Sequence, residues 1–265
     1  MEDQSTEIKA MGKKVELSKR LKLVASFVEP GAVVADVGTD HGYVPIWLVQ
    51  EGVAAGGIAM DVNHGPLERA KVHIAACGLT DRIQVRLGDG LSALSDEEAD
   101  TVIIAGMGGP LIVRILTEGL ETARRIKRLV LSPQSEIPSV REFLERQGFV
   151  TEDEAMTEED GKYYTVICAR FEGRYIEDGT FCINERKRLE WKYGKCLLER
   201  EDPVLRAFLE KERQKYRKVL DKLGSADDEN GAGSLGRQAR KKEVEEELDL
   251  IEMAFKFVLV KRGSL

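Results

Sequence analysis

The densest chemistry in this 265-residue chain lies in VVADVGTDHGYVP, Val33 to Pro45. An apolar run ends at Asp36 and is followed by Gly38, Asp40, His41 and Gly42 before a helix begins. Glycines at such a turn permit positive φ and let a ligand approach the backbone closely. A dinucleotide loop aims free N–H groups and a helix N-terminus at a diphosphate. Here the carboxylates of Asp36 and Asp40 would repel that anion. They suit instead a ligand bearing an ammonium and a sulfonium, the charge pattern of S-adenosyl-L-methionine. Structural turns also use glycine, so the acids decide the reading.

Three more strand ends extend it. Asp61 follows about 20 residues later, where a carboxylate accepts hydrogen bonds from ribose hydroxyls, a feature that NAD enzymes share. LGDG places Asp89 where it would receive an adenine amino group, although Asp-Gly alone also makes a turn. In IIAGMGGP, the Ala105, Gly106, Met107, Gly108 and Gly109 backbone would come close to methyl donor and acceptor; the alternative is a turn before a helix. Tyr43, Met107 and Tyr164 are candidates to stack on an acceptor base, or to sit in the core. His41 would bond the cofactor or cap its helix. His64 and His73 show no ligand spacing with it, so no metal is expected.

These residues need elements to hold them. Between Val33 and Phe171, β-branched runs alternate with helix-compatible segments, the pattern of a parallel sheet wrapped by helices. Strands are predicted at Val33 to Val37, Gly57 to Asp61, Ile83 to Leu87, Thr101 to Ala105 and Arg128 to Leu131. An antiparallel pair, Phe149 to Met156 and Tyr163 to Phe171, is joined by the acidic turn TEEDGK. The last third reads as charged helix, opening with Asp202 as N-cap and Pro203 at the first helical position. One heptad seam runs through Leu205, Leu209, Glu212, Tyr216, Val219 and Leu223, and a second through Val244, Leu248, Ile251, Phe255 and Val258. GSADDENGAGS between them favours an antiparallel pair, suited either to packing or to contacting RNA.

The expected organisation is α/β: a flexible N-terminus over 1–14, a Rossmann-like cofactor domain over 15–173 and a coiled-coil-like helical hairpin domain over 174–265. Lys and Arg number 40 against 47 Asp and Glu, a net charge of −7. Up to Gly173 the balance is 19 against 28, or −9; beyond it, 21 against 19, or +2. A fully disordered chain is excluded by 42% hydrophobic residues. No apolar run is long enough to span a bilayer and the start lacks a secretory stretch, so a soluble cytoplasmic protein is expected. Cys77, Cys168, Cys182 and Cys196 form no CxxC pair and read as reduced packing thiols.

Taken in order, LSKRL (Leu17 to Leu21), ADVGTDHGYVP (Ala35 to Pro45), Gly65-Pro66, VRLGDGL (Val85 to Leu91), IAGMGG (Ile104 to Gly109) and EEDGKYY (Glu158 to Tyr164) resemble the class I methyltransferases. More narrowly they resemble the bacterial TrmK-type tRNA adenine-N1 methyltransferases, over about residues 15 to 172. The resemblance implies methylation of N1 of adenine 22 in tRNA with S-adenosyl-L-methionine. It implies cofactor contacts at Asp36, Gly38, His41, Asp61, Asp89 and Ala105 to Met107, and a catalytic acid at Asp40. One triplet departs: where the family carries an amide-Pro-Asn, this chain has Ser132-Pro133-Gln134.

N1 lies on the pairing edge, so a paired adenine must first be opened, and recognition must include RNA beyond one base. Candidate contacts are Lys19 and Arg20, then Arg206, Lys211, Arg213, Lys215, Arg217 and Lys218, and the cluster Arg237, Arg240, Lys241 and Lys242. A solvated charged face is the plain alternative. The competing functions are methylation of another RNA position or a small molecule, a cofactor-holding sensor without turnover, and an NAD-dependent dehydrogenase. Oligomeric state is left open between monomer and weak homodimer.

Overall fold

The computed structural model describes residues 14–173, 184–225 and 235–260, without the side chains of 225, 235 and 258–260. The expected flexible N-terminus, apart from Lys14, lies outside the described residues, as does Cys182. Two compact units divide the chain: 1–153 with 164–175, and 154–163 with 176–265. The second unit thus takes in a ten-residue stretch, 154–163, of the preceding strand pair.

Seven strands form one sheet: β1 (Val33–Val37), β2 (Gly56–Asp61), β3 (Ile83–Leu87), β4 (Thr101–Ala105), β5 (Arg128–Ser132), β6 (Phe149–Glu159) and β7 (Lys162–Phe171). Their order is β3-β2-β1-β4-β5-β7-β6. β1 to β5 are mutually parallel, and β7 runs antiparallel to β5. The chain builds outward from β1 to β3, then returns to place β4 on the other side of β1. That reversal opens a crevice at the carboxyl ends of β1 and β4.

Side-chain alternation explains the layers. Ala35, Val37, Val102, Ile104, Leu129 and Leu131 face one way, packing with Ile112, Leu116, Val140 and Leu144 of α4 (Gly109–Glu118) and α6 (Ile137–Arg146). Their neighbours Val34, Ile103 and Val130 face the other way, against Val24, Ile46, Leu48 and Ile74 of α1 (Lys19–Ala25), α2 (Tyr43–Gln50) and α3 (His64–Ala76). Burial on both faces is why these strands read as unbroken apolar runs. α5 (Leu120–Arg125) completes the layer beside α4.

The predicted strands are present, with β6 and β7 longer than expected. Asp160 at φ 52° and Gly161 at φ 75° make a two-residue turn of mirror-image type, whose twist matches the strands. Pairing therefore continues to Glu159 and Lys162.

In the second unit, α9 (Pro203–Ser225) and α10 (Leu235–Val260) pack side by side. Arg217 and Arg213 both reach Glu252, at 3.0 and 3.7 Å, while Arg206, nearer the start of α9, shares a cleft with Lys256, nearer the end of α10. The pair is therefore antiparallel. Asp202 caps α9, its Oδ1 accepting from the Val204 and Leu205 amides at 2.9 and 3.0 Å. Two short helices that the pattern did not reveal precede it, α7 (Glu185–Tyr193) and α8 (Lys195–Glu199). They bury Leu189, Tyr193, Leu197 and Leu198 with Leu205, Leu209, Ile251 and Ala254. Ala254, rather than Phe255, is the fully buried position, while Leu248 and Phe255 are half-buried. An α-helix drifts against a strict seven-residue repeat, and α7 and α8 draw the buried face round.

Candidate functional site

The loop after β1 is folded back by two amides, Gly38 and Thr39, both donating to the Met60 carbonyl at 2.8 Å. Beneath it Asp36 is buried, with its Oδ2 accepting from Thr39 Oγ1 at 2.7 Å. Burial pushes its carboxyl up to about 6; the nearby Asp61 charge adds to this and the Thr39 hydroxyl opposes it. Gly38 has φ 76°, and a Cβ there would stand 1.9 Å from Met107 Cε. The loops after β1 and β4 therefore meet at Gly38 and Met107.

His41 and Gly42 are both left-handed, at φ 65° and 68°. This turn stacks the His41 ring on Tyr43 at 5.0 Å and on His73 of α3 at 5.2 Å. His73 Nδ1 lies 3.1 Å from the His41 carbonyl oxygen. Tyr43 is thus a member of a half-buried ring cluster against α3. His41 Nδ1 is shielded from solvent with no hydrogen-bond partner among the described residues. Asp40 is exposed; Arg69 Nε and Nη2 donate to its Oδ1 at 3.2 and 2.8 Å, and His41 Nε2 lies 3.4 Å away. Arg69 escaped the sequence reading because it stands 29 residues beyond its loop partner, on α3.

At the end of β2, Asp61 Oδ1 accepts from the Asn63 amide at 2.7 Å. Leu87 of β3 is the register partner of Asp61. Asp89, two residues on, is exposed, with Arg114 3.9 Å away. Its turn is braced by Arg86, which donates to the Ala93 carbonyl at 2.7 Å and to both oxygens of Glu98 at 2.6 Å. The guanidinium holds the Glu98 carboxyl down at about 2, helped by the Ser95 amide. Val62 and Leu87 stand 57% and 49% exposed beside these acids. Bare apolar side chains next to hydrogen-bonding carboxylates form a surface suited to a flat heteroaromatic ring. Sequence reasoning missed both; the available signal was an apolar residue at each strand end, where a polar one is usual.

The β4 turn holds Ala105, half-buried and in register with Ser132, then Gly106 at φ 82°, whose amide donates to the Ser132 carbonyl at 3.2 Å. Gly108 lies close to Ser135, whose Oγ would stand 3.1 Å from an added Cβ. Gly109 is buried, and a Cβ there would stand 2.6 Å from the carbonyl oxygens of Ser135 and Glu136. The space left by its missing side chain is filled by backbone. Gly109 therefore serves the packing of two loops.

At the same end of β5, Ser132 Oγ donates to the Thr165 carbonyl at 3.0 Å, and Arg20 of α1 lies 5.6 Å over the Tyr164 ring. Arg20 and Tyr164 are thus brought together, with Lys19 exposed one residue before Arg20. Arg237, Arg240, Lys241 and Lys242 belong to α10 in the second unit, where Arg240 pairs with Glu243 at 2.8 Å and Lys242 with Glu246 at 3.9 Å. Lys211 is committed to the Gly161 carbonyl at 2.9 Å and lies 5.1 Å over the Tyr163 ring. Among the described residues no cluster of His, Cys, Asp and Glu has the makings of a metal site.

Asp36, Asp61 and Asp89 supply acceptors and negative charge, and the Gly38 and Gly106 turns supply close backbone, a donor set that fits S-adenosyl-L-methionine. Residues 17–167 match the family described as "Methyltransferase domain". The chain is 43% identical over 155 residues to the tRNA (adenine(22)-N(1))-methyltransferase of Bacillus subtilis, a match spanning 58% of this chain and 65% of that enzyme. Its structure resembles the crystal structure of the B. subtilis m1A22 tRNA methyltransferase TrmK, with TM-score 0.75 and 32% identity over 91% of this chain and 99% of that one. Streptococcus pneumoniae Sp1610, in complex with S-adenosyl-L-methionine, gives TM-score 0.71 and 33% identity over 90% and 99% of the two chains. On this evidence the chain belongs to the TrmK-type family of class I methyltransferases.

Proposed function

We propose that this chain transfers the methyl group of S-adenosyl-L-methionine to N1 of adenine 22 in tRNA. The observation that carries the reading is the run of four neighbouring strand ends, β3, β2, β1 and β4. They bring Asp89, Asp61, Asp36 and the Gly106 turn to one crevice edge. The cofactor supplies an electrophilic methyl on a positively charged sulfur. Asp61 accepts from the ribose hydroxyls and Asp89 from the adenine amino group, with Val62 and Leu87 against the ring. Asp36, Gly38, His41 and the Ala105 to Met107 turn hold the amino-acid end. Asp36 contributes most where its carboxyl is ionised, above about pH 6.

N1 of neutral adenine already carries a lone pair, so no proton need leave before attack, and the product is a cation. Positioning then dominates, at about 7–11 kcal/mol of the barrier. Arg69 fixes Asp40 through Oδ1. Oδ2 accepts from the adenine N6 amino group, which pushes density toward N1 and stabilises the developing charge. Arg20, Lys19 and Tyr164 border the acceptor. The helical unit, with the Arg237 to Lys242 cluster, docks the rest of the tRNA by contacts to phosphate. Among the described residues no helix is long and apolar enough to cross a membrane. A tRNA substrate fits a cytoplasmic place of work.

The test is incubation with labelled cofactor and bulk unmodified tRNA, followed by mass-spectrometric mapping of the methylated nucleotide. The expected product is N1-methyladenosine at position 22. Label at another position, or no label in tRNA, overturns the reading.

A further inference from the structure

We propose that Gln134 is a specificity-determining residue that reads the Hoogsteen edge of the acceptor adenine, N6 and N7. The inference rests on the proposed reaction and extends it to how the base is chosen. An enzyme that alkylates N1 must leave that lone pair unoccupied, so no donor can be spent on it. The edge that still identifies adenine carries the N6–H donor and the N7 acceptor. A side-chain amide satisfies both at once, Oε1 accepting from N6 and Nε2 donating to N7. Guanine shows O6 and N7 there, two acceptors, and would leave Oε1 facing another oxygen.

Gln134 stands where that reading requires it. Its backbone is fixed: the amide donates to the Met107 carbonyl at 2.8 Å, which ties the end of β5 to the β4 turn. Its side-chain Nε2 lies 3.8 Å from where a Cβ on Gly106 would be, so the amide reaches over the glycine whose φ of 82° opens the turn. Gln134 is exposed, the adjoining Pro133 is buried, and the amide has no hydrogen-bond partner among the described residues. A long polar side chain on a braced backbone, beside the turn that faces methyl donor and acceptor, is poised for a ligand. Adenine N6 has two hydrogens, so Gln134 on the N7 side does not compete with Asp40 for the other.

The experiment pairs protein and substrate changes at single atoms. Full-length protein is given tRNA with adenosine or 7-deazaadenosine at position 22, and single-turnover methylation is followed. For the native protein, replacing N7 by carbon is expected to slow the step about tenfold, consistent with one arm of a bidentate contact. Gln134→Ala is expected to slow turnover of normal tRNA at least as much and to show no further loss with the 7-deaza substrate. Gln134→Glu, which cannot donate to N7, should fall as far as Gln134→Ala. Equal rates on both substrates with the native protein overturn the proposal, as do losses that multiply in Gln134→Ala. The native comparison needs no variant, and calorimetry with S-adenosyl-L-methionine checks that each variant keeps its cofactor site. If the native protein leaves adenine 22 of normal tRNA unmethylated, the proposed function fails instead.

Discussion

The two ends of the parallel sheet are built from the same residue types and use them in opposite ways. At the amino end Asp100 accepts from the Val33 amide at 2.9 Å and from Lys127 Nζ at 2.6 Å. Arg128 reaches Glu29 at 2.7 Å and Glu152 at 3.4 Å, while Arg170 reaches Glu152 at 2.6 Å. These groups line a polar hollow of about 410 Å³ in which each charge faces an opposite one. At the carboxyl end Asp36, Asp61 and Asp89 have a hydroxyl, one amide and a distant arginine between them. Charges that answer one another stabilise the fold; charges left without answer await a ligand.

The largest expected effect comes from removing the most costly of the unanswered charges. Folding raises the Asp36 carboxyl from 3.8 to about 6, so the folded state binds more protons between those values. Stability therefore falls as pH rises through that window, and above about pH 6 the full penalty, about 3 kcal/mol, is present. Asp36→Asn keeps an acceptor for Thr39 and abolishes the charge. It should raise the urea midpoint at pH 7.5, with the gain vanishing by pH 4, and weaken S-adenosyl-L-methionine binding in calorimetry. A variant less stable than the native protein at pH 7.5 would break the contrast between the two ends.

Next in size is a matched pair. Asp100→Ala strips the Val33 amide and Lys127 of their acceptor and should cost about 2 kcal/mol in unfolding free energy, with cofactor affinity unchanged. Asp61→Ala removes a carboxylate whose only described partner is one amide, and should cost less stability while lowering cofactor affinity about tenfold or more. Unfolding curves and calorimetry on both variants give four numbers. If Asp100→Ala weakens cofactor binding as much as Asp61→Ala does, the division of labour is wrong.

Much of this arrangement was legible in the sequence, because doubly covered strands appear as apolar runs and strand ends appear as acids and glycines. The Asp160-Gly161 turn was readable for the same local reason. What escaped depends on contacts between distant residues. Arg69 finds Asp40 only once α3 lies beside the β1 loop. The packing role of Gly109 shows only once the Ser135 and Glu136 backbone is seen to fill the place of a side chain there. The short helices α7 and α8 offer only a turn or two of periodicity, too little to separate from the charged background. The shift of the buried seam from Phe255 to Ala254 follows from them.

The smallest effect is the one that tests whether ion pairs at the amino end act singly or through the backbone. Lys127 is 79% exposed, and its ammonium meets Asp100 at 2.6 Å. An exposed pair gains little in water and is screened by salt, whereas Asp100 also holds the Val33 amide at the start of β1. Lys127→Met should leave the unfolding midpoint at neutral pH and 0.15 M salt indistinguishable from native. It should still change the acid limb. Lys127 is the chief group holding the Asp100 carboxyl below its usual range, a stabilisation present above the unfolded pKa and lost as pH falls through the folded one. Without the lysine the Asp100 carboxyl moves back toward 3.8, so less stability is lost on acidification, and with equal stability at neutral pH acid unfolding should begin at lower pH than in the native protein. A clear midpoint loss at neutral pH would mean that the surface pair itself, rather than the carboxylate bridging it to β1, secures that end of the sheet.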